Sequence, residues 1–76
     1  MHSLSFDGDK NLVVRYEKTG NYEIDYEIDA FLIEAGFVKQ SEDDVTIYVY
    51  SATDAIIAIK TINWTREKFT KVFGDD

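Results

Sequence analysis

With 76 residues and no cysteine, the chain is one small domain that no disulfide, thiolate metal site or nucleophilic thiol can serve. At 45% hydrophobic and 30% charged, its composition is that of a folded globule and excludes a disordered segment. A formal charge of −7 opposes nucleic acid and anionic membrane and favours a basic partner.

The charge is concentrated. Residues 21–44 hold eight acids (Glu23, Asp25, Glu27, Asp29, Glu34, Glu42, Asp43, Asp44) and one base, Lys39, a balance of −7 that equals the formal charge of the whole chain. The last stretch leans basic, with Lys60, Arg66, Lys68 and Lys71 against Glu67. No apolar run approaches the ~18 residues of a membrane span. The opening MHSLSFDGDK lacks the basic and apolar regions of a secretory signal, so a cytoplasmic protein is expected.

Along the chain, the first signal is the hairpin dipeptide Asp7-Gly8, with Leu4 and Phe6 alternating before it and Leu12, Val14 and Tyr16 after it. A hairpin of 2–6 with 11–18 is predicted, then a turn at Thr19-Gly20-Asn21. Next comes YEIDYEID at 22–29, which taken alone alternates as a half-buried strand does. The continuation AFLIEAG breaks that pattern, because a strand would then carry large apolar groups on both faces. On a helix, Ile24, Ile28, Phe31, Leu32 and Ala35 form one stripe, and Gly36 supplies a left-handed end. A helix over 23–35 is predicted, its acidic first turns suited to the positive end of the helix dipole.

Residues 37–40 and 45–50 read as a second strand pair around the tip Ser41-Glu42-Asp43-Asp44. In VTIYVY both alternating rows are bulky, which requires an interior strand or a covered outer face. Tyr48 and Tyr50, with Arg15, are expected on the sheet's second face, where they would favour dimerisation or a partner. The remainder reads as helix in two pieces. Ser51 or Thr53 would cap the first, burying Ala55, Ile59 and Ile62 with Ile56 beside them; Asn63-Trp64-Thr65 would break it. Thr65 would cap the second, over 66–73, with Trp64 and Phe69 at staple positions and Gly74 at its end. One bent helix over 53–73 is the competing reading, and partial strand over 55–59 a third. Trp64, Phe69, Val72 and Phe73 share a helical face, a core pattern.

The expected fold is a single α+β domain over 1–76, β-β-α-β-β-α-α, with an antiparallel four-stranded sheet and helices packed on one face. A ferredoxin-like arrangement with an extra N-terminal strand is the alternative.

Chemistry-bearing motifs are scarce. The four glycines are isolated and make no phosphate loop. Glu42-Asp43-Asp44 cannot converge on one ion and reads as a solvated turn tip. His2, the only histidine, reads as a frayed end, and nothing around Ser3 or Ser5 resembles a nucleophile elbow. Accordingly no catalytic residue, cofactor or metal is expected.

What remains is the acidic helix. Glu23, Glu27 and Glu34 fall along one side, with Asp25 and Asp29 adjacent. Like charges at i, i+4 cost an isolated helix about 0.2–0.5 kcal/mol per pair, and exposed helices ordinarily mix both signs. The plainest account is a solvated face. The functional account is a non-enzymatic protein-binding module, an inhibitor or adaptor. Its partner-binding residues would be Glu23, Asp25, Glu27, Asp29 and Glu34, docking a basic protein or imitating the phosphates of a nucleic acid. A second expectation is a homo-oligomeric ferredoxin-like domain, a subunit of an enzyme or ligand-binding assembly. Direct nucleic-acid binding would require Lys60, Arg66, Lys68 and Lys71 to share a face.

Overall fold

The computed structural model of the chain describes residues 2–8 and 10–74. Along them run β1 (His2–Phe6), β2 (Asn11–Glu17), α1 (Tyr22–Ala35), β3 (Val38–Ser41), β4 (Val45–Ser51) and α2 (Ala55–Phe73). The strands form one antiparallel sheet in the order β1-β2-β4-β3. Since β4 is antiparallel to both β2 and β3, those two run parallel with β4 between them, the split β-α-β unit of a ferredoxin-like sheet. N-terminal β1 completes the sheet beside β2.

Both helices cover one face. Leu12, Val14, Tyr16 and Tyr48 are buried there against Ile28, Phe31 and Leu32 of α1 and Ile62 and Phe69 of α2. Phe31 joins the helices, its ring meeting Phe69 edge-on at 5.2 Å and Trp64 at 5.8 Å. The expected core face of Trp64, Phe69, Val72 and Phe73 is present, with Phe69 buried and the others packed against it. His2 is not a frayed end: its ring stacks on Phe69 with 3.9 Å between centroids.

The two rows of β4 divide differently from expectation. Tyr48 pairs with Val14 and Tyr50 with Leu12, so both tyrosines lie on the helix-covered face. Arg15 pairs with Ile47 on the other face, among Val13, Val45 and Val49. Tyrosine inward is physically sensible where a hydroxyl partner exists, and α1 supplies one.

Helix α1 starts where Asn21 accepts hydrogen bonds from the Glu23 and Ile24 amides at 3.0 and 3.3 Å. It ends at Gly36, at φ 108°, with the Gly36 amide donating to Ile33 and that of Phe37 to Leu32, each at 3.0 Å. A Cβ at Gly36 would also lie 3.0 Å from Tyr50 Cε1, so glycine is required twice over.

Helix α2 is continuous, so the expected break at 63–65 is absent. Its cap is Asp54, which accepts from the Ile57 amide at 2.9 Å. Thr65 is fully buried inside the helix, and its hydroxyl donates to the Thr61 carbonyl at 2.7 Å. A hydroxyl satisfied one turn back does not need to cap a new helix. Continuity also resets the phase of the buried stripe, which is Ala58, Ile62, Thr65 and Phe69. Ile56 and Ile59 are left 67% and 55% exposed.

Candidate functional site

The doubled unit YEIDYEID is the origin of the site. At i, i+4 each residue type occupies one line along α1. Ile24 and Ile28 face the core, while Tyr22, Tyr26, Glu23 and Glu27 are exposed. Asp25 and Asp29 turn toward the strands, and each accepts a hydrogen bond from a largely buried tyrosine. Tyr16 of β2 donates to Asp25 at 2.7 Å, and Tyr48 of β4 donates to Asp29 at 2.8 Å.

The two carboxylates then diverge. Asp25 Oδ1 also accepts from the Thr19 amide and hydroxyl, both at 2.9 Å, and Oδ2 from the Gly20 amide at 3.2 Å. Asp29 instead meets Lys39 Nζ at 2.8 Å. Lys39 reaches on to Glu42 at 3.3 Å, and Glu42 to Lys18 at 3.5 Å. Between these groups and the stacked rings of Tyr22 and Tyr26, whose centroids are 6.1 Å apart, lies a shallow cleft of about 210 Å³.

Proton affinities follow from this geometry. Burial pushes the Tyr16 and Tyr48 phenols up, and the adjoining carboxylates push them further. Burial alone would raise Asp25, but donation from Tyr16, Thr19 and Gly20 outweighs it and holds the carboxyl below its ordinary range. At Asp29 the same penalty is outweighed by Lys39 and Tyr48. Lys39 rises through its hydrogen bond to Asp29, against a smaller opposing effect of burial. Each shift moves the group's proton affinity further from that of a group titrating near pH 7. A general acid or base needs a proton affinity near the working pH, so these groups are built to hold their protonation states.

Of the residues singled out from sequence, Asp25 and Asp29 come together as internal anchors. Glu23, Glu27 and Glu34 lie on the solvent side of α1, and none is in an ion pair among the described residues. Glu42, Asp43 and Asp44 are an exposed tip, and no three His, Cys, Asp or Glu side chains among the described residues gather as a metal site. The four bases of α2 do not all share a face: Lys60, Lys68 and Lys71 fall within about 80° of one another around the helix, whereas Arg66, two residues from Lys68, lies about 200° from it. Lys68 rests over the Trp64 ring at 5.3 Å. Sequence reasoning missed Tyr16, Tyr48, Lys39 and Thr19 as members of the site. A usable signal was present, since two inward tyrosines each need a hydroxyl partner and two aspartates border the apolar stripe.

The fold and site therefore define a small acidic α+β domain whose helix is pinned by two Tyr–Asp contacts. No described helix is long and apolar enough to cross a membrane. Comparison with protein-family models, curated proteins and solved structures finds no match to this chain.

Proposed function

We propose that the protein is a non-enzymatic, cytoplasmic protein-binding module, an inhibitor or adaptor, that presents the outer face of α1 to a basic partner. The observation that carries this reading is the state of Glu23, Glu27 and Glu34: all exposed, all on one helix, none neutralised by an ion pair among the described residues. Exposed Tyr22 and Tyr26 stand on the same helix, and such rings accept arginine and lysine over their faces. Asp25 and Asp29 enter this reading as the groups that fix the helix against the sheet, while the three glutamates make the contact.

The test reverses Glu23, Glu27 and Glu34 to Lys and measures capture of basic proteins from host lysate at low and high salt. Capture should be salt-sensitive and lost in the triple variant, with helical circular dichroism unchanged. A control of equal charge change elsewhere, Asp7, Asp44 and Glu67 to Lys, should retain it. Equal loss in both variants would reduce the effect to net charge and sink the reading. Competition by duplex DNA would narrow the partner to a nucleic-acid-binding protein and the mechanism to phosphate imitation.

A further inference from the structure

We infer that the sheet face opposite the helices is a self-association surface, and that its occupant is a second copy of this chain. No element of the described structure covers that face. A solvated antiparallel sheet ordinarily turns polar side chains outward. Here the outward row of β4 is Val45, Ile47 and Val49, flanked by Val13 of β2 and Val38 of β3. Val38 is 59% exposed. Serines border this apolar centre: Ser3 and Ser5 on β1 pair with Arg15 and Val13, and Ser41 on β3 pairs with Ile47. An apolar centre inside a small polar rim is the anatomy of an interface.

Charge selects the occupant. The formal charge of the chain is −7, yet the outward strand positions carry one acid, Glu17, and one base, Arg15, both on β2. A basic partner gains nothing on a neutral face, whereas two copies meeting through it keep the acids of α1 on the far sides of both sheets. A pleated face also fits its own copy, as sheets pack on sheets with strands nearly aligned. Size sets the strength. Four strands at about 4.8 Å and six residues at about 3.3 Å give a footprint of roughly 19 by 20 Å. That places the pair among weak associations that bury less than about 1,200 Å² in total.

The surface is separate from the one proposed for the basic partner, and salt distinguishes them. Binding at α1 weakens as salt rises, whereas self-association through a neutral apolar face strengthens as repulsion between two acidic copies is screened. The experiment is sedimentation of the full chain from about 10 μM to 1 mM, at low salt and at about 0.5 M NaCl. A dimer should form within that range and tighten with salt. Ile47→Lys should weaken it at least about tenfold with circular dichroism unchanged. Val38→Lys, at an exposed edge position, gives the same reading should Ile47→Lys fail to fold. The triple Lys variant of α1 should still dimerise. A wild-type chain that stays monomeric to 1 mM at both salts, or variants that dimerise as it does, would overturn the proposal.

Discussion

Asp25 and Asp29 are the same residue of the same repeated unit, one turn apart, each bonded to a tyrosine from a central strand. Their remaining partners differ in kind. Asp25 is held by uncharged donors of the loop that leads into its own helix, and so ties 19–20 to α1. Asp29 is held by a cation from edge strand β3, itself shared with Glu42. The difference teaches that a sequence repeat fixes direction along a helix, while the energetics come from whatever the rest of the fold brings opposite. The Asp25 contact is short-range hydrogen bonding, insensitive to salt; part of the Asp29 contact is Coulombic and screened.

Acid should produce the largest effect, because it removes both contacts at once. Both carboxyls sit below their ordinary range in the folded state. Their contribution is therefore present above about pH 4 and is lost as pH falls through the folded values. Denaturant unfolding from pH 7 to 2 should show a steep loss that flattens in an Asp25→Asn, Asp29→Asn double variant. The tyrosines have the opposite sign. Raised in the fold, they contribute fully below about pH 10 and lose that contribution as pH rises further. A Tyr16→Phe, Tyr48→Phe pair should flatten the alkaline limb.

Next in size is Asp25→Ala, which leaves the Tyr16 hydroxyl without its partner and releases the 19–20 loop. A loss of about 2–3 kcal/mol is expected, or roughly 10–20 °C in Tm. Asp29→Ala should cost less, about 1–2 kcal/mol, since Lys39 keeps Glu42. The comparison sharpens in salt: at about 1 M NaCl the Asp29→Ala penalty should shrink and the Asp25→Ala penalty should not. Equal behaviour of the two would break the distinction. Smallest is Lys39→Met, at under about 1 kcal/mol by thermal melting, because the ion pair is partly exposed.

The elements were legible wherever punctuation and period agreed. Gly36 and the stripe from Ile24 to Ala35 located α1 against the strand-like appearance of its first eight residues. Asp7-Gly8 located the first hairpin. Local rules failed at Thr65, where a residue with good capping chemistry lies mid-helix because its hydroxyl bonds one turn back. They failed again at VTIYVY, where both rows are bulky and Tyr48 and Tyr50, expected on the outer face, lie on the inner one. The choice there depends on Asp29, nineteen residues earlier, offering a partner to Tyr48. The site was half legible for the same reason: acidity is written in α1, but its division into outward glutamates and inward aspartates requires the strand tyrosines.

The central ladder has a further consequence, for the order in which the chain folds. Each hairpin closes a short loop, but β2 meets β4 only across the intervening α1 and β3, from Glu17 with Val45 to Asn11 with Ser51. Such non-local pairing is entropically slow to nucleate. Docking of one hairpin on the other, through Val14 and Tyr48, is therefore the expected slow step of folding. Substitutions along that seam should slow folding, whereas those in edge strand β1 should mainly quicken unfolding.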